Sequence, residues 1–417
     1  MDILIKSHFF DWLYNTGIKV ENPRDYFYEY IQFLNEHDYG ITRVSLGGSA
    51  LHPEIESIGY TFSEKQLDSA FPAFVTDSLL VGQDFVNYPK GSITTLRFRV
   101  GIRLTDAFKN SPIPALWSDG APIYIPISAV KDESVADPYP IITDLREAGC
   151  TCYFAMPLAT VEGIRTYASF SSTRPGAFTE EMIENLRGMT EIFTTGWYSF
   201  RLRDMTKSLM SLYLGEATSK QVLAGKIRRG DVEKMEAVIW FSDIRKYSEL
   251  SSQYPPEDLI RWLNEYYDDQ IANIHKFGGE VLKIMGDGIL AVFPTIEGRN
   301  IKTNARRALV ASLRSMKILD ERNLTKKSDE VPEIHHGIAL HQGLVEYGNI
   351  GSSDRLDFTI IGSDVNITAR ISNLCSGLSE RILLSSKMSQ LIPGHLRLVD
   401  QKVTLKGILE PQDIYAP

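Results

Sequence analysis

The stretch Gly278-Gly-Glu-Val-Leu-Lys-Ile-Met-Gly-Asp-Gly-Ile-Leu-Ala-Val-Phe293 decides the fold of the second half of this chain. Its two strand-forming runs, 280–285 and 289–293, flank Gly286-Asp-Gly288, the composition of a tight hairpin. Gly278-Gly279 closes a helix before it, because glycine accepts the left-handed conformation in which helices end. That helix opens at Pro255-Pro-Glu-Asp258 and keeps Leu259, Leu263 and Tyr266 on one face. Upstream, Glu236-Ala-Val-Ile-Trp-Phe-Ser242 reads as a strand. Downstream, a second helix runs from about Ala305 to Leu319, and more strands follow from Glu333. The order βαββαβ predicts a ferredoxin-like α+β domain over residues 235–417.

Two carboxylates stand out on this scaffold. Asp243 comes just after the apolar strand, and Asp287 sits at the hairpin tip. Taken singly, an Asp after a strand is usually a helix cap, and an Asp beside Gly is usually a turn residue. Taken together, from adjacent strands of one sheet, they are placed to hold two divalent cations against a triphosphate.

The segments around them resemble the metal-binding signatures of class III nucleotidyl cyclases: Phe241-Ser-Asp-Ile-Arg-Lys-Tyr-Ser248 and Gly279-Glu-Val-Leu-Lys-Ile-Met-Gly-Asp-Gly288. Later signatures of that family are matched by Gly343-Leu-Val-Glu-Tyr-Gly-Asn-Ile-Gly351 and by Leu356-Asp-Phe-Thr-Ile-Ile-Gly-Ser-Asp-Val-Asn-Ile-Thr-Ala-Arg370. Thr404-Leu-Lys-Gly407 matches the last. The segments keep family order and spacing across nearly all of 235–417. The Gly278-Gly-Glu280 string also touches the GGDEF signature of diguanylate cyclases, but that family's acid-rich hairpin tip is missing here.

The resemblance implies a role for each matched position. Asp243 and Asp287 would be ligands of two divalent metal ions, Mg2+ or Mn2+, with the Ile244 carbonyl as a further ligand. Lys283 and Thr359 would read the base, Asn366 would orient the ribose, Arg370 would steady charge on the α-phosphate, and Lys406 would bind the terminal phosphates. The residue types suit the chemistry, in which the ribose 3′-hydroxyl attacks the α-phosphorus and pyrophosphate leaves. Arg370 offers a planar fork of donors. A Lys donor for adenine N1 and a Thr oxygen for the N6 amine favour ATP, and the pair matches the Lys/Thr adenylate cyclase subtype. Guanylate cyclases place Glu and Cys or a similar residue there. The family also implies a homodimer with composite sites, the metal carboxylates from one protomer and the base, ribose and phosphate contacts from the other. One departure stands out. Lys246 and Tyr247-Ser248 replace the family's usual Gly and Phe-Thr, which alters the turn's permitted dihedrals or adds a charge near the triphosphate.

Residues 1–195 read as a separate α/β domain. Tyr26-Phe-Tyr-Glu-Tyr-Ile-Gln-Phe-Leu34 begins a helical pattern and Thr42-Arg-Val-Ser-Leu46 a strand. The runs 153–158 and 165–171 flank a turn at Glu162-Gly163, and Thr179-Glu-Glu starts a helix. A terminal hairpin followed by an exit helix is similar to the end of a GAF domain, with PAS as the close alternative. Residues 196–234 would form a signalling helix and linker, with Gly188 and Gly196 as candidate hinges. Tyr198, Leu202, Met205, Leu209 and Leu212 are spaced as the seam of a short parallel coiled coil, which suits a homodimer.

Composition bounds the remaining choices. A chain of 417 residues with 43% apolar and 23% charged residues is a folded protein of more than one domain. Its formal charge of −9 provides no footprint for nucleic acid. No apolar run is long enough to span a membrane, and Met1-Asp-Ile-Leu-Ile-Lys6 is not a signal peptide, so the expected location is the cytoplasm. Cys150, Cys152 and Cys375 cannot make a disulfide framework, and alternation puts the first two on the same face of one strand. The resulting expectation is an adenylate cyclase that converts ATP to cyclic AMP and pyrophosphate. It would be controlled by an unidentified small molecule or protein acting on the N-terminal domain. A guanylate or pyrimidine cyclase and a catalytically silent nucleotide sensor are the alternatives.

Overall fold

The computed structural model describes residues 3–64, 79–128, 136–161, 163–295, 300–325 and 331–417. The chain divides into two compact units, Met1–Leu209 and Met210–Pro417.

In the first unit, helices α1 (Ile3–Asn15) and α2 (Pro23–Glu36) precede strands β1 (Arg43–Ser49), β2 (Ile55–Glu64), β3 (Leu80–Tyr88) and β4 (Gly91–Arg99). Short helices α3 (Asp106–Lys109) and α4 (Ile113–Asp119) follow, then β5 (Ile123–Pro126), α5 (Pro140–Glu147), β6 (Cys152–Val161), β7 (Ile164–Ser172) and the long helix α6 (Glu180–Leu214). The seven strands form one sheet in the order β3-β4-β2-β1-β7-β6-β5. The expected hairpin is β6–β7, with Phe154 opposite Phe170. Of its turn, Glu162 lies outside the described residues.

α2 forms because Asn22 caps it by accepting from the Arg24 and Asp25 amides, with Pro23 in the first turn. Its Tyr26 and Tyr30 rings stack on Phe193 of α6 at 4.6 and 4.2 Å. That packing explains Gly196. A Cβ there would lie 2.5 Å from the Tyr26 hydroxyl, and α6 runs through it unbroken, so Gly196 is a close-approach residue and not a hinge. The chain instead breaks at Gly215, φ 84°, after α6 ends.

The cysteine expectation is also corrected. The β6 ladder starts only at Cys152, which packs with Phe154 and Met156, whereas Cys150 precedes the strand and packs with Tyr153 and Ala155. The two thiols therefore serve opposite sides of the sheet, and burial raises the pKa of both.

The second unit begins with α7 (Glu216–Leu223), β8 (Val232–Ile244), α8 (Tyr247–Gln253) and α9 (Pro256–Lys276). Next come β9 (Glu280–Met285), β10 (Gly288–Pro294), α10 (Ile301–Thr325), β11 (His336–Gly351), β12 (Leu356–Ile361) and α11 (Ser363–Gly377). β13 (Ile382–Ser385), α12 (Ser386–Leu391), β14 (Arg397–Val403) and β15 (Gln412–Ala416) complete it. The inner run β11-β8-β10-β9 is antiparallel and is connected in the expected βαββαβ order, with β13, β15 and β14 continuing the sheet beyond β11.

Alternation along β8 splits the core. Val238 and Trp240 pack with Phe293 against Trp262 and Tyr266 of α9 and Ala308 of α10. Ala237 and Ile239 face the other way, toward Leu290, Val292 and Tyr347. Asp243 shares the parity of this second side, where Ile367 and Ile371 of α11 cover Ala339 of β11 and Leu383 of β13.

His336 at the start of β11 carries a testable consequence of this packing. Its Nδ1 meets the Tyr266 hydroxyl at 2.9 Å, its Nε2 is buried without a partner, and burial with the Arg381 and Arg245 charges lowers its pKa to about 3. Between the unfolded value near 6.5 and about 3, only the unfolded chain takes up this proton. The histidine's contribution is therefore whole above pH 6.5 and declines as pH falls. Urea unfolding is expected to show a loss of about 1.4 kcal/mol per pH unit over that window from this residue, and His336→Gln should remove that part of the slope.

Candidate active site

β8 and β10 bring the two acids together. Asp243 precedes the last residue of β8 and Gly288 opens β10 directly opposite it, so Asp287 lies beside Asp243 at the sheet's end. The Ile244 amide donates to the Asp287 carbonyl at 3.1 Å, locking the hairpin tip to β8. Tyr267 of α9 holds the tip from the other direction, donating its hydroxyl proton to the Gly286 carbonyl.

Burial raises the Asp243 pKa, Arg245 opposes the rise, and Asp287 adds to it. Asp243 Oδ1 is buried and receives no aligned hydrogen bond, although the Arg245 guanidinium forms an ion pair with it at 3.0 Å. Its Oδ2 accepts from Ser372 Oγ of α11 at 3.4 Å. Two neighbouring carboxylates form a hard all-oxygen donor set that suits a small divalent cation. The residues fit the implied metal pair.

Arg245 was not singled out in the sequence. Besides Asp243, it donates to the Ser372 carbonyl at 2.9 Å and fills the space over Gly337, where a Cβ would lie 1.7 Å from its Nη2. It thus braces β8 against α11. Only its place in the Asp-Ile-Arg run hinted at a role. Its neighbour Lys246 keeps a left-handed turn with φ 57°, although it is not glycine. That conformation strains an L-residue by about 1–2 kcal/mol, part of which glycine's larger unfolded-state freedom would cancel. Lys246→Gly is therefore expected to stabilise the protein by about 0.5–1 kcal/mol in urea unfolding.

The remaining expected residues lie on β9, β12, α11 and the loop before β15. A β-bulge at Leu282 modifies the alternation on β9: Val281 opposes Ala291, but Lys283 opposes Leu290. Val281 therefore packs on the α9 side, and Lys283 lies on the opposite face from it, on the side of Phe358 and Tyr347. There its ammonium pairs with Asp357 of β12, a partner the sequence reading did not name. Thr359 is two residues on, on the same face of β12 as Asp357.

Asn366 and Arg370 are one turn apart and both exposed, as is Lys406. None of the three has a hydrogen-bond or ion-pair partner among the described residues. α11 is anchored by Asp364, which accepts from His341 Nε2 at 2.9 Å, from Lys387 at 3.2 Å and from the Leu344 amide at 3.0 Å. Burial alone would raise the Asp364 pKa, but His341 and Lys387 outweigh it and bring it to about 2. Gly343 makes room for this anchor, because a Cβ there would meet the Asp364 side chain at 2.3 Å.

Residues 231–412 match the family model described as the adenylate and guanylate cyclase catalytic domain. An adenylate cyclase of Anabaena cylindrica is 31% identical over 193 residues, 45% of this chain and 38% of the relative. A terminal-differentiation-specific adenylate cyclase of Dictyostelium discoideum is 29% identical over 210 residues, 49% of this chain and 9% of the relative. The chain thus spans less than two fifths of the length of either of these relatives. Among solved structures, an adenylyl cyclase from P. aeruginosa is 25% identical and covers 44% of this chain and 94% of its own, with a TM-score of 0.40. The ordered signatures, the Asp243–Asp287 juxtaposition and this family match agree: residues 231–412 are a class III nucleotidyl cyclase catalytic domain.

Proposed function

We propose that the chain is an adenylate cyclase that converts ATP to 3′,5′-cyclic AMP and pyrophosphate at two composite sites of a homodimer. The observation that carries the reaction is Asp243 beside Asp287, one buried Asp243 oxygen held only by the Arg245 ion pair, on a sheet whose helix α11 presents Asn366 and Arg370 unpaired. Asp243, Asp287 and the Ile244 carbonyl would hold two Mg2+ or Mn2+ ions, which lower the pKa of an attacking hydroxyl and neutralise a leaving pyrophosphate. Arg245 and Ser372 fix the rotamer of Asp243. Asn366 orients the ribose, Arg370 takes charge growing on the α-phosphate, and Lys406 binds the terminal phosphates.

The choice of base rests on Lys283 and Thr359. Lys283 is tethered to Asp357 by an ion pair half open to solvent, worth little by itself, so a base edge can replace it. Adenine then receives the lysine's proton at N1, and oxygens of Thr359 and Asp357 stand on one face for the N6 amine. Names among similar proteins do not decide this, since they include a guanylyl cyclase 28% identical over 45% of this chain. Turnover of the four nucleoside triphosphates with manganese tests the reading, and exclusive use of GTP overturns the choice of base. Lys283→Glu combined with Thr359→Cys inverts both contacts. It is expected to lower ATP use at least tenfold and to raise the GTP/ATP ratio, since each unsatisfied polar group costs about 1–3 kcal/mol. An unchanged ratio would mean that these residues do not read the base.

The homodimer is supported by Leu202 and Leu212 of α6, 43% and 51% exposed, whereas Tyr198 and Met205 of the expected seam face their own domain, the first donating to the Ala159 carbonyl and the second lining a cavity with Ile58 and Tyr60. It is also supported by the half-buried Phe241, Met285 and Phe358 beside the Lys283 face. The first unit is proposed as the regulatory domain, of GAF or PAS type, its terminal β6–β7 hairpin leading into the exit helix α6. No helix among the described residues is long and apolar enough to cross a membrane. A cytoplasmic enzyme is the reading consistent with its substrate.

A further inference from the structure

The first unit holds a cavity of about 310 Å3, walled by β2 and β4 on one side and by the Arg201–Ser208 stretch of α6 on the other. Ile58, Tyr60 and Met205 form an apolar surface along it. Against that surface stand three permanent cations, Arg97, Arg201 and Lys207, and a single carboxylate, Asp204. This excess of positive charge occurs in a chain whose formal charge is −9.

Arg201 is the telling residue. It is only 9% exposed, and its partners are neutral: the Ser49 carbonyl at 3.0 Å and the Tyr60 hydroxyl. No ion pair to Arg201 exists among the described residues. A guanidinium taken out of water normally has an anion beside it, because burial without counter-charge is costly. Arg97 offers little relief, since its own acid, Asp84, is shared with Arg24. Lys207 has no partner among the described residues. His52 adds a donor: its Nδ1 accepts from the Glu54 and Ile55 amides at 3.1 and 3.2 Å, which leaves the proton of the neutral ring on Nε2.

We infer that this cavity binds a small organic anion with an apolar body, a medium-chain carboxylate being the simplest example. The carboxylate sits between Arg201, Arg97 and Lys207, and the chain lies along Ile58, Tyr60 and Met205. Its volume is at the small end of ligand sites, and its lining of an apolar wall with a few convergent polar groups is typical of them. A bare inorganic anion would leave the apolar wall unused, and a cationic ligand would meet three like charges. The bound head would tie β4 to α6, the helix that leaves this domain. The inference concerns the first unit alone and does not rest on the catalytic reading.

Isothermal titration of the full chain with octanoate, octylamine and inorganic phosphate tests it. Octanoate is expected to bind one-to-one, and the amine and phosphate at least tenfold more weakly. Arg201→Met should weaken octanoate at least tenfold, with partial recovery in Arg201→Lys, which keeps the charge but not the fork. Arg201 also supports the fold through Ser49, so Lys207→Met provides a second variant. That exposed side chain holds nothing in place, and its loss should weaken octanoate about threefold without changing the melting temperature. The inference is overturned if octanoate shows no saturable binding in the millimolar range. Octylamine or phosphate binding as tightly as octanoate, or affinity unchanged in both the methionine variants, overturns it equally.

Discussion

Asp243→Asn and Asp287→Ala are each expected to lower cyclic AMP formation by about a thousandfold or more, while the melting temperature of the Asp243 variant stays level or rises. The first half follows from the proposed metal pair: losing one of two carboxylates would remove several kcal/mol of transition-state charge stabilisation, and about 4 kcal/mol is a factor of a thousand. The second half follows from the pKa. Burial, with Asp287 adding to it, raises the Asp243 carboxyl above its unfolded value even against Arg245. A group whose folded pKa is raised binds its proton more tightly in the native state than in the unfolded one. Above that pKa the native state must carry the charge at a cost the unfolded chain does not bear, so the ionised form works against folding at neutral pH. Asparagine keeps the volume and removes the charge. Differential scanning calorimetry and a cyclic AMP assay on the same preparation check both halves. Full activity in either variant would sink the metal assignment, and a lowered melting temperature for Asp243→Asn would mean that the Arg245 bridge matters more to stability than the burial cost.

The catalytic sheet was legible because its signals are local. The apolar run 236–242, the Gly-Asp-Gly tip and the paired glycines ending α9 each act within a few residues, and the structure sets β8, β9 and β10 where those cues put them. What escaped is long-range or irregular. A period-two pattern on β9 puts Val281 and Lys283 on one face, and nothing in that pattern reveals the extra residue at Leu282 that separates them. The Lys283–Asp357 and Arg245–Ser372 contacts join residues 74 and 127 positions apart, and no spacing rule links them. Gly196 misled for a related reason. Flexibility is what glycine offers in isolation, whereas here its missing Cβ lets Tyr26 approach α6. The Asp364 anchor shows the same limit, since its partners His341, Leu344 and Lys387 come from β11 and α12.

Mixing two dead variants is expected to restore activity to about a quarter of wild type, and the geometry of α11 explains why. Ser372 reaches Asp243 of its own chain. Arg370 is two residues earlier on the same helix, about 200° round it, exposed and without a partner among the described residues. A side chain on that side of α11 is turned away from its own Asp243, the placement required if, in the proposed homodimer, Arg370 serves a triphosphate held by the carboxylates of another copy. Asp243→Ala and Arg370→Ala proteins should therefore each be inactive alone. Co-refolded in equal amounts, about half of the dimers are mixed, and each mixed dimer has both lesions in one site and none in the other, so about a quarter of all sites are intact. Tagged pull-down confirms that subunits have exchanged, and the recovered rate should scale with the mixed fraction as the ratio of the two proteins is varied. A mixture that stays dead with exchange demonstrated would show that each site is built within one chain. A wild-type monomer whose specific activity is independent of protein concentration would show the same.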